Sequence, residues 1–277
     1  MKPFLDAKGT AKEETMSQSL CISTKTCDSD FCTAIDIENE TLITRAIQQR
    51  FPHHVVIGEE STGTQNPELL TDKPTWIIDP VDGTTNFASG APFTCVSIGF
   101  CNGGEPVLGV IYAPATKELY LAIKGRGAYR NGIPLKKSGY SADIRLEHSI
   151  VCFEFGYVRS PKGIDRMLEA VKRILNHGCR ATRSYGSGAL DLCYVATGRI
   201  DVVYAGVDEE GWKPWDYCAA VVVLNEVGCT ICPLIEDPSS QFNFSRSSFS
   251  IYSKSMICGI NEYVVNQCKR VIFNNTV

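Results

Sequence analysis

The sequence predicts an α+β fold in a single domain over residues 1–277. Three observations lead there. In the first half, apolar runs bounded by turn residues read as strands joined by hairpins, which gives an antiparallel sheet. In the second half, strand-like runs alternate with segments whose apolar residues recur at helical spacing. The 277 residues are 44% hydrophobic, enough for one large core or two closely packed halves, and no internal repeat divides them.

Met1 to Thr24 is polar and weakly patterned, with a short helix expected over Ala11 to Leu20. A helix is predicted from Ile37 to Gln49, with Leu42, Ile43, Ala46 and Ile47 as its apolar stripe and Phe51-Pro52 as its stop. Asp36 reads as the N-cap of that helix. Val55-Val56-Ile57 is a short buried strand entering Gly58-Glu59-Glu60-Ser61. Adjacent glutamates in a loop are usually solvated, yet a strand-end glutamate beside a glycine can turn into a cleft. Ser61 to Lys73 is a polar loop. Trp76-Ile77-Ile78 is a buried strand ending at Asp79, where Pro80 has no N–H to continue the ladder. Asp82, Gly83, Thr84 and Thr85 suit a turn and the start of a helix.

Strands follow at Thr94 to Cys101 and Val107 to Tyr112, joined through Asn102-Gly103-Gly104, with a third at Leu119 to Ile123. The glycine-rich stretch Gly125 to Gly132 carries Arg126 and Arg130, but no helix follows it, so it reads as a hairpin connection and not a phosphate loop. Ile150 to Phe153 is a strand. Ser160-Pro161 caps a helix whose stripe is Ile164, Leu168, Val171 and Leu175 and which stops near Gly178. Further elements are a helix from Ser187 to Thr197, a strand from Ile200 to Tyr204, a helix from Trp215-Asp216 to Val227 and a closing helix from Asn261 to Ile272. Pro233 to Ser250, rich in serine and asparagine, reads as a surface excursion.

Charge excludes several partners. Lysine and arginine number 27 against 31 acidic residues, net −4, without a basic run, so neither nucleic acid nor an anionic membrane is expected to bind. No apolar stretch approaches the roughly 20 residues that span a bilayer. Met1 to Cys21 lacks the apolar core of a secretory signal. The 13 cysteines read as having no Cys-x-x-Cys pair and no His-rich zinc spacing, and as free thiols of a reducing, cytoplasmic compartment.

The chemistry centres on Trp76 to Phe87, reading Trp-Ile-Ile-Asp-Pro-Val-Asp-Gly-Thr-Thr-Asn-Phe. Asp79 at a strand end and Asp82 at a helix mouth would repel each other without a cation between them. The helix mouth offers free N–H groups and a positive dipole end, where a phosphate binds. Carboxylates for a hard metal beside donors for an anion suggest phosphate-ester chemistry. The bland alternative is an acidic turn that only caps.

This run resembles the signature of the inositol monophosphatase family, and further pieces stand in the family's order. Gly58-Glu59-Glu60-Ser61 lies upstream. Trp215-Asp216, Ala219 and Asn225-Glu226-Val227-Gly228 lie downstream. The resemblance runs from about Lys25 to about Gly259. It implies the layered α-β-α-β-α sandwich of the inositol monophosphatase and fructose-1,6-bisphosphatase type, with a first helix that is shortened here. It also implies a lithium-sensitive, Mg²⁺-dependent phosphatase that works as a homodimer on a small phosphorylated polyol.

Two Mg²⁺ ions are implied, with a third, weaker one conceivable. Glu59, Asp79 and the Val81 carbonyl would hold the first, with the Thr84 hydroxyl as a further candidate. Asp79, Asp82 and Asp216 would hold the second. Asp216 also reads as a plain N-cap. Glu59 and Thr84 would orient and deprotonate the attacking water, with Asp82 as the third catalytic residue. Gly83, Thr84 and Thr85 would bind the phosphate. Lys25 and Asp36 would stand just behind the metals. Gly186, Ser187 and Gly188 at a helix start either reach the polyol or only cap. The acidic residue expected before the Trp-Asp pair falls in Ala205 to Pro214, which is about four residues longer than the animal pattern. Glu209 has the matching separation, next to Asp208 and Glu210, and a solvated acidic loop is the alternative.

The reading is hydrolysis of inositol monophosphate. The alternatives are histidinol phosphate, fructose bisphosphate or 3′-phosphoadenosine phosphate as substrate, or a non-catalytic regulatory relative.

Overall fold

The computed structural model describes residues 23–24, 31–63, 65, 70–136, 144–157, 159–209, 212–235 and 249–274. The helix expected over Ala11 to Leu20, Lys25, Glu210 and most of the excursion from Pro233 to Ser250 lie outside these residues.

A short antiparallel pair, β1 (Ser23–Thr24) and β2 (Phe31–Cys32), precedes helix α1 (Ala34–Arg50). The first sheet runs in spatial order from β3 to β9. Its strands are β3 (Val55–Gly58), β4 (Thr75–Asp82), β5 (Cys95–Asn102), β6 (Glu105–Ala113), β7 (Glu118–Ile123), β8 (Ala128–Arg130) and β9 (Ile133–Pro134). β3 pairs with β4 in parallel and every later neighbour is antiparallel, as the hairpin signals predict. Along β5, buried and half-buried residues alternate, the mark of a sheet with one face on the core. The glycine-rich turn after β7 is a hairpin, its Gly125 and Gly127 N–H groups both donating to Glu226 at 2.7 Å.

The second sheet is mixed, in the order β11-β10-β12-β14-β13. Its strands are β10 (Ile150–Glu154), β11 (Ala181–Arg183), β12 (Val202–Ala205), β13 (Thr230–Cys232) and β14 (Met256–Gly259). The remaining helices are α2 (Glu59–Thr62), α3 (Thr84–Ser89), α4 (Pro161–His177), α5 (Gly188–Ala196), α6 (Pro214–Val227) and α7 (Glu262–Phe273). α5 and α6 pack on each other between the sheets. α6 lies on β4 to β8, and α5 touches β5 and β6 on one side and β12 and β14 on the other. α1 packs on β4, while α4 and α7 pair at the far side with α7 on β12 and β14. The layers are therefore α-β-α-β-α. The middle layer is nearly all apolar, since both helices touch protein on every side. α6 comes so close to the first sheet that a Cβ added at Gly109 would lie 2.1 Å from the Ala219 carbonyl oxygen.

Four expectations need correction. β4 does not stop at Asp79 but runs to Asp82, with its register against β5 shifted in between. α1 begins at Ala34 with Thr33 as N-cap, which puts Asp36 at the third helical position. The proposed stripe of α1 does not face a core among the described residues: Leu42 is 66% exposed, while Asp36 and Glu40 are buried. Its inner face looks at the polar ends of β3 and β4, so carboxylates go inside. In α4 the buried residues are Gly163, Met167, Ala170 and Ile174, whereas Leu168 and Leu175 are exposed. Small residues at Gly163 and Ala170 let that face approach its neighbours, which turns the large leucines outward. The reading of no Cys-x-x-Cys pair is also corrected: Cys229 and Cys232 have that spacing and lie at β13.

Candidate active site

Asp79 and Asp82 are three residues apart, and in a regular strand that separation would put them on opposite faces. The register with β5 explains why it does not. Asp79 stands opposite Ser97 and Asp82 opposite Cys95, so three steps on β4 match two on β5. The extra residue, at Pro80-Val81, is a bulge that turns both carboxylates the same way. Asp216, from α6, joins them. Carboxylate oxygens of Asp79, Asp82 and Asp216 lie within 4.8 Å of one another. Glu59, the first residue of α2 at the end of β3, stands close enough to Asp79 to raise its pKa.

The electrostatics follow from that crowding. Asp79 is pushed well above the usual carboxylate range by burial first, then by the charges of Glu59, Asp82 and Asp216. Asp216 is raised by burial and then by Asp82 and Glu59. Asp82 is also raised by burial, which outweighs the hydrogen bonds it accepts. Those bonds come from the Ser187 hydroxyl at 2.6 Å, the Ala189 N–H at 2.9 Å, the Gly188 N–H at 3.2 Å and the Cys95 thiol at 3.4 Å. The Gly186-Ser187-Gly188 turn thus touches Asp82. Ser187 and Gly188 are buried, and Gly188 lies under the Trp212 ring.

Asp216 shares one device with a further carboxylate, Asp36. Asp36 and Asp216 each occupy the third position of their helix and reach back to the N-cap N–H, Thr33 at 3.0 Å and Lys213 at 2.6 Å. Neither is an N-cap itself. One oxygen caps and the other is left for the site. The free oxygen of Asp36 accepts from the Thr84 hydroxyl at 3.1 Å, and Thr84 Oγ1 also lies 3.0 Å from the Val81 carbonyl. Gly83 is the N-cap of α3 at φ +84°, and Thr84 and Thr85 form its first turn. Of the acidic loop, Asp208 pairs with Arg166 of α4, and Glu209 is exposed in a turn closed by its N–H on the Gly206 carbonyl.

Two supporting residues escaped sequence reasoning. The buried Glu40 of α1 accepts the N–H groups of Glu60 at 2.7 Å and Ser61 at 2.8 Å, which fixes the turn carrying Glu59. Its carboxylate fills the space beside Gly58, where an added Cβ would sit 2.3 Å from Glu40 Cδ. Only glycine fits there. Asn86 Nδ2 donates to the carbonyls of Phe93, Tyr185 and Gly186, tying α3 to the turn that holds Asp82. Glu40 sits one helical turn after Asp36, on the same face. That spacing was the available signal, hidden by the more apolar stripe beside it.

Solved structures share this fold. The extragenic suppressor protein suhB of Bartonella henselae superposes with a TM-score of 0.76 at 27% identity, covering 96% of this chain and 93% of that one. The inositol monophosphatase of Thermotoga maritima gives 0.74 at 27% identity, covering 95% and 93%. Residues 6–263 match the Inositol monophosphatase family, and the chain belongs to it, a family of phosphatases. Among curated relatives, inositol monophosphatase 1 of Bos taurus is 32% identical over 264 residues, 95% of this chain and 89% of the relative. Inositol monophosphatase 2 of Solanum lycopersicum is 41% identical over 218 residues, 78% of each.

Proposed function

We propose that the chain hydrolyses inositol monophosphate to inositol and phosphate, with Mg²⁺ held at Glu59, Asp79, the Val81 carbonyl, Asp82 and Asp216. The observation that carries this is the convergence of three carboxylates from β4 and α6 within 4.8 Å, Asp79 and Asp82 buried and Asp216 half-buried, with Glu59 beside them. The donors are all hard oxygens and their charges repel, which suits Mg²⁺ and fits no soft metal. Bound Mg²⁺ would neutralise phosphoryl charge, make a water acidic and stabilise the leaving alkoxide.

The chain's own groups divide the remaining work. Thr84 Oγ1 is the acceptor for a proton of the attacking water, its own proton passing to the Asp36 oxygen 3.1 Å away. Glu59 orients that water. The N–H groups of Gly83, Thr84 and Thr85 face the phosphate, because the first turn of a helix leaves its amides without intrahelical partners. Ser187, Gly188 and Ala189 hold Asp82 in place, and Glu209 is the carboxylate offered to the alcohol.

The relatives named inositol monophosphatase support the substrate. The loop from Ala205 to Pro214 is where substrate choice is set. No helix among the described residues is long and apolar enough to cross a membrane. A cytoplasmic homodimer, free of nucleic acid and membrane, completes the proposal. The test is a panel of inositol 1-phosphate, histidinol phosphate, fructose bisphosphate and 3′-phosphoadenosine phosphate, each with and without Mg²⁺. Mg²⁺-dependent turnover should favour the inositol ester. Faster turnover of another ester, or turnover without a divalent ion, refutes the reading.

A further inference from the structure

Behind the turn that holds Asp82 lies a second acidic group. Asp191, in the first turn of α5, has no solvent exposure, and neither carboxyl oxygen has a hydrogen-bond partner among the described residues. A buried ionised carboxylate left in that state is strongly disfavoured. Its oxygens, those of Glu154 at the end of β10 and the Cys152 thiol come within 4.8 Å of one another. Glu154 is well supplied: it accepts from the Tyr185 N–H at 2.8 Å, the Gly186 N–H at 2.9 Å and the Ser184 hydroxyl at 3.3 Å. Three donors favour charge on Glu154, whereas only the weak Cys152 thiol favours it on Asp191.

Two carboxyl groups so close in a buried setting do not both ionise unless a cation joins them. A metal ion is the poorer occupant here. The Glu154 lone pairs already serve three donors, and burial drives the Cys152 thiol far from the thiolate that a metal takes. A single proton completes the group.

We propose that Asp191 stands in the native protein as the neutral acid, donating its O–H to Glu154 and accepting from the Cys152 thiol, and that it is thereby a positioning residue for Asp82. The path is short. Glu154, fixed from behind by Asp191, clamps the Tyr185 and Gly186 amides. Asn86 Nδ2 holds the carbonyls of the same two residues, Tyr185 at 2.6 Å and Gly186 at 3.2 Å. The turn so held delivers Ser187, Gly188 and Ala189 to Asp82. Burial, and then the charge of Glu154, raises the Asp191 pKa, in keeping with the same assignment. The consequence for Asp82 rests on the reading of that residue as a Mg²⁺ ligand.

Asp191→Asn and Asp191→Leu test this, with Mg²⁺ binding followed by calorimetry and infrared spectra taken with excess Mg²⁺. Wild-type protein at neutral pH should show the carbonyl stretch of a protonated, buried carboxylic acid, and Asp191→Asn should lack it. Asp191→Asn, whose amide can still donate to Glu154, should bind Mg²⁺ within a few-fold of wild type. Asp191→Leu keeps the volume without the donor and should bind about 10- to 100-fold more weakly, the usual cost of removing a group behind a metal ligand. No band in wild type overturns the proposal. So does an Asn variant as impaired as the Leu variant, or a Leu variant that binds like wild type. If Asp191→Leu does not fold, the band and the Asn variant decide alone. A wild-type protein that binds no Mg²⁺ overturns the reading of Asp82 and its dependence on Asp191, while the band still decides where the proton sits.

Discussion

Asp79→Asn should stabilise the metal-free protein while removing its activity. Asp79 is buried with Asp82, Asp216 and Glu59 around it, and the hydrogen bond it accepts from the Val81 N–H at 3.0 Å survives in an asparagine. Oxygens of the three aspartates lie within 4.8 Å, a separation at which each like-charge pair costs about 3.5 kcal/mol at an effective dielectric constant of about 20. The cluster sheds part of that by taking up a proton, so the net gain on neutralising Asp79 is about 2 kcal/mol, or about 4 °C in Tm for a chain of this size.

The pH dependence has a definite sign. All three carboxylates have folded pKa values above their unfolded ones, so at intermediate pH the native state binds more protons than the unfolded state. Their contribution is complete below the unfolded carboxylate range and is lost as pH rises through the raised values. The advantage of Asp79→Asn over wild type should therefore be largest at alkaline pH and shrink in acid. Urea and thermal unfolding of both proteins in chelator, across that range, measures it. Excess Mg²⁺ should reverse the order, because only wild type gains from binding. A variant less stable than wild type in chelator at alkaline pH would refute the electrostatic reasoning.

Asp216→Ala should abolish turnover of a simple aryl phosphate at any Mg²⁺ concentration; a loss of stability with turnover intact would leave Asp216 as a cap alone. Glu40→Gln should cost about 1 kcal/mol in stability, since one of two part-buried amides loses its acceptor, and should weaken Mg²⁺ binding about 10-fold or more by freeing Glu59; unchanged metal affinity speaks against its role behind Glu59. Lithium should inhibit uncompetitively with substrate, with rising Mg²⁺ weakening the effect, and initial rates that do not respond to lithium count against the two-ion arrangement. Glu209→Ala should raise KM for the inositol ester more than it lowers kcat, while leaving an aryl phosphate unaffected; equal effects on both substrates remove it from the alcohol pocket.

What could be read from the sequence was local. The β5–β6 hairpin is written in Asn102-Gly103-Gly104, and the helix after Ser160-Pro161 in its own cap. Asp79 and Asp82 stood out because two acids flank a proline at the end of an apolar run. Errors arose where a distant partner overrides the local pattern. Thr33 and Asp36 have the spacing of a capping pair, but Asp36 just ahead of Ile37 looked like the cap itself. The face of α4 was misplaced because periodicity rewards the largest apolar residues, while close packing selected Gly163 and Ala170. Glu40 gave only its spacing from Asp36, and Glu154 gave no sign at all. Each is an ordinary acid in a helix or strand whose partners lie 20 and about 31 residues away.

The placement of Asp216 on α6 has a wider consequence. That helix is wedged between two sheets, with Gly109 letting it press on the first and β13 following directly from it into the second. Glu59, Asp79 and Asp82 belong to the first half of the chain, and Asp216 belongs to the second. Neither half alone holds the whole of the proposed ligand set. The chain could therefore be cut in the connection between β9 and β10 and its two parts expressed separately, and Mg²⁺ would act as the clasp that draws them together. Catalysis would then report complementation directly, appearing only where both fragments and the ion are present.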